Sequence, residues 1–354
     1  MGRRFKQLTR TDRIKIEALR KAGQKPNQIA SYMGVNRSTI YRELKRGTYE
    51  HLNSDYTTEL RYSPDKAEER YRENLKSKGP GLKIGNDQAL ADYIEKKILE
   101  DDYSPDAVIG ELNATNGWEK FNTRICTTTL YSYIDKGIFL TLTNKNLTVK
   151  GKRKRTYRKV KKQQSRDSAG TSIEKRPKEV DTREEFGHWE MDSVMGQQGI
   201  SKESLLTLTE RMTRGEKVFK LHGHTAALVV EKLDELERKY GKFFSKIFKT
   251  ITVDNGTEFS SCEAMEKSAL FDALRTKIYY CHPYSSYERG SNENCNRMVR
   301  RKVPKGKNID DYTDKDIEDI EDWINSYPRR ILGYQNAGDL LDREIAKILA
   351  EEAD

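Results

Sequence analysis

The first part of the chain has apolar residues at helical spacing, separated by glycines. This pattern predicts three short helices within residues 6–47, because each apolar stripe recurs every three or four residues and ends at a glycine. In the third segment, "NRSTIYRELKRG", Asn36 is in the capping position and Ile40 and Leu44 lie four residues apart. A short turn containing glycine, followed by a basic helix, is typical of a helix-turn-helix unit, which we expect over residues 1–50.

The third predicted helix would present polar side chains to the major groove of DNA. The alternative is an ordinary three-helix bundle with a basic face. Arg, Ser, Thr and Tyr cluster at the start of this helix, which favours DNA binding. The candidate contact residues are Arg37, Ser38, Thr39, Tyr41, Arg42, Lys45 and Arg46.

A similar helical pattern recurs further along the chain. "TTLYSYIDKG" aligns with "STIYRELKRG", which predicts a second helix-turn-helix-like unit at 86–140. Its last helix has little positive charge, so packing or dimer contacts are the alternative. Residues 51–85 are polar and are expected to form a linker, with room for one helix. Residues 141–183 are expected to form a second, basic linker that follows DNA phosphates.

After residue 184 the pattern changes to short apolar segments that alternate with amphipathic ones. The predicted order is β-β-β-α-β-α-β-α, which indicates an α/β domain at 184–335 with a mixed five-stranded sheet and helices on its faces. A C-terminal helix is expected at 336–354. The strands are predicted at 188–196, 204–211, 216–223, 247–259 and 276–283, and the helices at 225–241, about 261–274 and from 287 onward.

The composition of the chain indicates what kind of molecule it binds. The chain has 354 residues, a formal net charge of +10 and 34% charged residues, a balance that favours a polyanion such as nucleic acid. There is no apolar run of 18 residues and no apolar N-terminal segment, so we expect an intracellular protein without membrane association. The four cysteines are scattered without a C-x-x-C pair, which argues against a zinc ribbon or a disulfide framework.

Three acidic residues fall at informative places in this pattern. Asp192 lies on the first predicted strand of the α/β domain, Asp254 follows the fourth, and Glu293 lies in the last helix. The first and fourth strands of such a sheet are commonly neighbours, so the two aspartates could lie side by side. Converging carboxylates repel each other unless a divalent cation neutralises them. Oxygen ligands suit Mg²⁺ or Mn²⁺, and two such ions can promote in-line attack on a phosphodiester.

Each acid also has a simpler explanation. Asp254 belongs to D-N-G, a common turn sequence. Glu190 lies two residues before Asp192 on the same strand face, so either could be the metal ligand. Glu258 and Glu288 are further acidic candidates. The combination of three acids in these elements, behind predicted DNA-binding helices, favours a catalytic site.

Several blocks of the chain are similar to one known family. "GHWEMDSVMG", "ITVDNGTEF" and "PYSSYERGSNENCNRMVRRKVPKG" resemble the bacterial insertion-sequence transposases of the IS-thirty family. The resemblance implies an RNase H-like catalytic domain whose Asp-Asp-Glu triad falls on Asp192, Asp254 and Glu293. It also implies two Mg²⁺ ions per active site, with Mn²⁺ as a substitute, and no nucleotide cofactor. Arg297 stands where the family usually has Gly, the interval from Asp254 to Glu293 is slightly long, and "YPRRILGYQNAGDLL" lacks the expected Thr-Pro.

The resemblance predicts an enzyme that binds the terminal inverted repeats of its element, nicks the ends and joins the 3′-hydroxyl to target DNA. Such chemistry implies a homo-oligomer, at least a dimer, in the bacterial cytoplasm near the nucleoid. The rivals are a helix-turn-helix regulator without catalysis and an integrase of retroviral or phage type. The polar residues around Glu293 that are expected to contact DNA are Arg289, Asn292, Asn294, Arg297, Arg300, Arg301, Lys302 and Lys305.

Overall fold

The computed structural model describes residues 7–76, 81–148, 170–283 and 285–350. Its contacts divide the chain into two compact units, Met1–Gly85 and Asn86–Asp354. Within the described ranges, no helix is both long enough and apolar enough to cross a lipid bilayer.

The first unit begins with the predicted helix-turn-helix. Its three helices pack around a small core formed by Ile16, Ile29 and Ile40. A capping box at Thr9 begins the first helix, and Asn36 caps the third by accepting a hydrogen bond from the Ser38 backbone N–H at 2.9 Å. The elements of this unit are α1 Arg10–Lys21, α2 Pro26–Met33, α3 Arg37–Gly47, β1 Thr48–Leu52, β2 Thr58–Tyr62 and α4 Pro64–Lys76.

The segment 51–85, which we predicted to be a linker, is instead largely folded onto the helix-turn-helix. β1 and β2 form an antiparallel hairpin, and α4 packs against α1 and α3. The guanidinium of Arg13 is 1% exposed; it donates to Glu43 at 2.7 Å and also pairs with Glu68 of α4. A buried charge needs such partners, and that long-range requirement is why local polarity gave the wrong prediction.

The second unit opens with three helices in the region predicted at 86–140. They are packed on the C-terminal part of the same unit. The ring of Tyr334 lies against Gly110, where an added Cβ would meet ring atoms at 2.0 Å, and the indole N–H of Trp323 donates to the Asp101 carbonyl at 2.7 Å. Lys302 pairs with Asp102. These helices are α5 Gln88–Leu99, α6 Pro105–Ala114 and α7 Thr127–Asp135.

The rest of this unit is a mixed five-stranded sheet with helices on both faces, which confirms the predicted fold class. The strand order is β5-β4-β3-β6-β7; β3, β4 and β5 pair antiparallel, whereas β3, β6 and β7 pair parallel. The strands are β3 His188–Met195, β4 Ser204–Glu210, β5 Glu216–Leu221, β6 Thr250–Val253 and β7 Lys277–Tyr280. The helices are α8 Glu179–Thr182, α9 Ala226–Tyr240, α10 Phe244–Ile247, α11 Cys262–Glu266, α12 Gly290–Lys302, α13 Asp314–Ser326 and α14 Ala337–Ala350.

Each face of the sheet has its own core. On one face Trp189 and Leu206 pack with Leu233 of α9 and Leu341 of α14. On the other face the apolar side chains of α12 and α13 cover Val194, Leu205 and Val218. The helix α12 is therefore held flat against the centre of the sheet, with its polar side facing outward.

Two predictions for this unit need correction. The helix expected at about 261–274 ends at Glu266, because the carboxylate of Glu237 accepts hydrogen bonds from Ser268 and from the Ala269 backbone N–H, which turns the chain away. Of the basic linker expected at 141–183, residues 170–183 lie on the sheet, with Ser172 bridged to Tyr280. Its lysine- and arginine-rich run, 150–162, falls outside the described residues.

Candidate active site

Asp192 and Asp254 lie side by side. The parallel register of β3 and β6 pairs Glu190 with Thr252. Asp192 lies two residues after Glu190, and Asp254 lies two residues after Thr252. One guanidinium lies between the two carboxylates. Arg289 Nη1 is 3.3 Å from Asp192 Oδ1, and Arg289 Nη2 is 2.9 Å from Asp254 Oδ2. The first and fourth predicted strands of the domain, β3 and β6, are therefore neighbours in the sheet, as the sequence predicted.

The two carboxylates are oriented by neighbouring groups. Asp192 accepts hydrogen bonds from the Ser193 backbone N–H at 2.9 Å and from the Asn296 amide at 2.8 Å. Asp254 accepts from the Gly256 backbone N–H at 2.9 Å. A Cβ at Gly256 would lie 2.4 Å from the carboxylate of Glu258 and 2.9 Å from that of Asp254, so a larger residue would displace these side chains. Both aspartates are therefore held in defined orientations before any ligand binds.

The electrostatics of the pair follow from partial burial. The pKa of Asp192 is raised above its usual range because burial disfavours the charged form; the charge of Asp254 raises it further and that of Arg289 lowers it. Burial lowers the pKa of Arg289, but the two aspartates outweigh that effect and the net shift is upward. Arg289 is thus a firmly charged cation between two anions.

Glu293 lies on the outer side of α12. Its side chain is 49% exposed, and its Oε1 accepts a hydrogen bond from Arg297 Nη2, one turn further on, at 2.5 Å. Among the described residues, no group of three or more His, Cys, Asp or Glu is placed closely enough to hold a metal ion. The structure therefore brings Asp192 and Asp254 together, while Glu293 is paired with Arg297.

Glu190, the alternative to Asp192, has a different environment. Its side chain is fully buried, with one oxygen 2.6 Å from Arg211 Nη1 and the other 2.8 Å from the Asn292 backbone N–H. A carboxylate at the N-terminal turn of a helix is favoured by the helix dipole. Glu190 thus attaches α12 to β3, and its oxygens are already occupied by protein donors.

The other two acidic candidates are paired with histidines. Glu258 is 3.1 Å from His224, and Glu288 accepts from His282 at 2.7 Å. The other carboxylate oxygen of Glu288 accepts a hydrogen bond from the His282 backbone N–H at 2.9 Å. Glu288 therefore holds the segment from His282 in place, whereas His224 Nε2, the atom near Glu258, has no hydrogen-bond partner among the described residues.

The predicted DNA-contacting residues in and just after α12 differ in how far their side chains are free to contact DNA. Arg300 donates to the Met195 carbonyl at 2.8 Å, and Arg301 lies over the Trp323 ring, 4.9 Å from its centroid. Arg301 and Lys302 both contact Asp102 of the helical segment. Asn292 is buried. The exposed members of the set are Asn294, Arg297 and Lys305.

A cavity of about 730 Å³ lies along α12 beside Glu293. Five arginines contribute to its lining, against the single carboxylate of Glu293, so the cavity is strongly positive. Two of them, Arg214 and Arg329, come from a strand turn and from the segment before α14, so sequence spacing around Glu293 gave no signal for them. Asn296, which orients Asp192, was missed for a simpler reason: its inward direction depends on how α12 packs. The lining arginines are Arg214, Arg297, Arg300, Arg301 and Arg329.

In the first unit, α3 has one polar face. Arg37, Ser38, Tyr41, Arg42 and Lys45 are exposed along it, while Thr39 is half-buried. Arg46 is different, because it pairs with Glu43 and lies over the Tyr71 ring, 5.5 Å from its centroid. Six of the seven predicted contact residues thus keep side chains directed away from the core interactions of this unit.

Comparison with known proteins gives the family. The probable transposase for insertion-like sequence element IS1161 of Streptococcus salivarius is 33% identical over 96% of this chain and 95% of its own length. The transposase for insertion sequence element IS4351 of Bacteroides fragilis is 30% identical, covering 93% of each chain. Transposase InsI for element IS30C of Escherichia coli (strain K12) is 27% identical over 96% of this chain and 84% of its own.

The chain belongs to the insertion-sequence transposases of the IS30 type. The family model described as "Helix-turn-helix domain" matches residues 4–47 of this transposase, the span that contains α1 to α3. The family resemblance seen in the sequence is therefore confirmed, and so is the order of a helix-turn-helix followed by an RNase H-like sheet.

Proposed function

We propose that this transposase binds the terminal inverted repeats of its own element, cuts at their ends and joins the resulting 3′-hydroxyl to target DNA. The observation that supports it best is the position of the Asp192 and Asp254 carboxylates, 3.3 and 2.9 Å from the guanidinium of Arg289, at the N-terminus of the basic helix α12. The relatives that align over nearly the whole chain are themselves named transposases. In this proposal α3 enters the major groove of the end sequence.

The donor set suits Mg²⁺, with Mn²⁺ as a substitute. Mg²⁺ is commonly bound by one or two carboxylates together with substrate phosphates and water, and Asp192 and Asp254 supply two hard oxygen donors on one side of the cleft. We assign Glu293 as the third ligand, and its 49% exposure leaves its carboxylate accessible once it parts from Arg297. Two bound ions would activate the attacking oxygen and stabilise the leaving one.

The chain's own residues have separate tasks in this scheme. Asn296 and the Gly256 backbone N–H hold the aspartates in orientation. Arg297, the exposed arginine of the cavity lining, is suited to a phosphate of the DNA strand, because a guanidinium can donate two parallel hydrogen bonds to one phosphate. Both ends of an element must be cut and joined together, so we expect at least a dimer to act.

The decisive experiment uses a duplex that carries the element's end, taken from the inverted repeats flanking the gene. Asp254→Asn should abolish cation-dependent cleavage and leave binding to the end unchanged, since Asp254 lies in a different compact unit from α3. The matched control is Asp272→Asn, because Asp272 is an exposed aspartate in the loop after α11.

Cleavage that survives in Asp254→Asn would contradict the proposed active site. If the wild-type protein binds the end but cuts no duplex in the presence of Mg²⁺ or Mn²⁺, the chain is a DNA-binding regulator. Joining of the cut end to a second duplex, measured in the same assay, separates a transposase from a simple nuclease.

A further inference from the structure

Arg289 occupies an unusual place for a residue next to a basic DNA-facing helix. Its guanidinium makes three polar contacts within the site: an ion pair with Asp192 at 3.3 Å, a hydrogen bond to Asp254 at 2.9 Å and a hydrogen bond from Nη1 to the Met191 carbonyl at 3.1 Å. The side chain is only 11% exposed. The two terminal nitrogens thus take up one oxygen of each aspartate, and the guanidinium plane spans the space between them.

The charges explain why the arginine stays there. Two carboxylates on adjacent strand ends repel each other, and partial burial strengthens that repulsion. The guanidinium of Arg289 offsets both charges, with a hydrogen bond to Asp254 and an ion pair with Asp192. The Nε of Arg289 is buried without a hydrogen-bond partner, so the side chain is fixed mainly by the two aspartates and by one carbonyl.

A divalent cation that joins Asp192 to Asp254 needs the same oxygens. Coordination by Asp192 Oδ1 and Asp254 Oδ2 would put a dication where Nη1 and Nη2 now lie. Two cations cannot share that position, because their repulsion in a partly buried site is large. Binding of the ion therefore requires the guanidinium to leave.

We propose that Arg289 is a resident counter-ion that positions Asp192 and Asp254 and is exchanged for the divalent cation. The inference rests on the proposed function, because it assumes that the aspartates are metal ligands. Arg289 keeps the two carboxylates on either side of its guanidinium, and a cation must displace it to bind both. Once released, the guanidinium is free to take a phosphate of the bound DNA strand, so the ion and the DNA favour each other's binding.

The test measures Mn²⁺ binding to the full chain without DNA, by calorimetry and by electron paramagnetic resonance of the free ion. Arg289→Gln removes the competing charge and should tighten Mn²⁺ binding by about tenfold, within the usual range for coupled sites. Arg176→Gln is the matched control. Arg176 is also a largely buried arginine, and it contacts Thr252 of β6. It bonds Thr252 and Asp181 but neither Asp192 nor Asp254, so its removal should leave Mn²⁺ affinity unchanged.

Equal or weaker Mn²⁺ binding by Arg289→Gln, including no detectable binding by either protein, overturns the inference. If Arg289→Gln does not fold, Arg289→Lys gives the same comparison, because a single ammonium cannot bridge two carboxylates as a planar fork does. Tighter binding by that variant supports the exchange, and equal or weaker binding overturns it.

Asp192→Asn and Asp254→Asn separate this inference from the proposed function. If they leave Mn²⁺ binding intact, the metal site itself is wrong. If they abolish binding while Arg289→Gln binds no better than wild type, only the exchange fails.

Discussion

The carboxylate of Glu190 accepts a hydrogen bond from the backbone N–H of Asn292, at 2.8 Å. Glu190 lies two residues before Asp192 on β3, and Asn292 lies one residue before Glu293 on α12. This buried contact therefore connects the strand that carries one proposed ligand to the helix that carries another. Arg211 completes the contact by pairing with the second oxygen at 2.6 Å.

Glu190→Gln should destabilise the protein by about 3 kcal/mol, because the buried Arg211 loses its buried counter-charge and keeps only the exposed Asp181, 3.3 Å away. Urea unfolding followed by tryptophan fluorescence measures this, since Trp189 is buried beside the site. Glu184→Gln removes an exposed carboxylate nearby and should change the free energy of unfolding by less than about 0.5 kcal/mol. A loss below about 1 kcal/mol in Glu190→Gln would argue against its structural role.

Arg42→Ala should weaken binding to the element's end by roughly 1–3 kcal/mol if Arg42 reads a base edge. Binding to unrelated DNA should change little, because only the specific contact is lost. Gel-shift titrations with both duplexes at fixed salt measure the difference. Arg72→Ala serves as the control, since Arg72 is an exposed arginine of α4 in the same unit, paired with Glu68. Equal losses on both duplexes would assign Arg42 to the phosphate backbone.

Arg297→Ala should reduce affinity for DNA of any sequence and lower the slope of log K against log salt by about one. The reason is that Arg297 is exposed on the rim of the positive cavity. Its ion pair with Glu293 is a surface pair, so the free energy of unfolding should change by less than about 1 kcal/mol.

Lys315→Ala is the matched control for Arg297→Ala. Lys315 makes an equally exposed pair with a carboxylate one turn away, Asp319, at 2.6 Å on α13. Its removal should leave the salt slope unchanged. The same fall in both variants would mean that only net charge matters and that Arg297 has no particular contact.

Glu216 gives a prediction for pH. Burial raises its pKa to about 7 from an ordinary 4.5, although Thr209 donates to it. The folded protein therefore binds a proton that the unfolded chain releases between about pH 4.5 and 7, so stability falls as pH rises through that window, by on the order of 3 kcal/mol.

Glu216→Gln should remove this pH dependence. The difference in stability between the variant and wild type should therefore shift in favour of the variant between pH 5 and pH 8. Urea midpoints at the two pH values measure it. Glu231→Gln, which changes an exposed carboxylate of α9, should run parallel to wild type. If the Glu216→Gln and wild-type curves are parallel as well, Glu216 is charged throughout the range.

The sheet could be predicted because its signals are local. Short apolar strands with turn residues between them gave β3 to β5 within two residues of the observed ends, and the crossover at α9 made β6 parallel to β3. That pairing is enough to bring Asp192 beside Asp254. The helix-turn-helix was equally local, since Asn36 and the glycines at the helix ends mark its boundaries.

The loop after α11 and the direction of the Glu293 side chain depend on contacts that the local sequence pattern does not predict. The loop after Glu266 contains Leu270, Phe271 and Leu274, which are typical of a buried helix face, yet all three are exposed because Glu237 fixes the turn. The pairing of Glu293 with Arg297 is a local contact, one helical turn apart, and its formation in place of a contact with the aspartates depends on side-chain direction, which spacing alone does not supply.

The contacts that Arg13 and Gly47 make with residues beyond the matched motif limit where this protein can be divided. A fragment that stops at residue 47 contains the whole recognition motif but lacks Glu68, the second anion that Arg13 contacts, and the Tyr62 ring that packs against Gly47. A fragment that continues through α4 keeps both. For isolating the proposed end-binding activity, the useful boundary is therefore the end of α4, about thirty residues beyond the end of the matched motif.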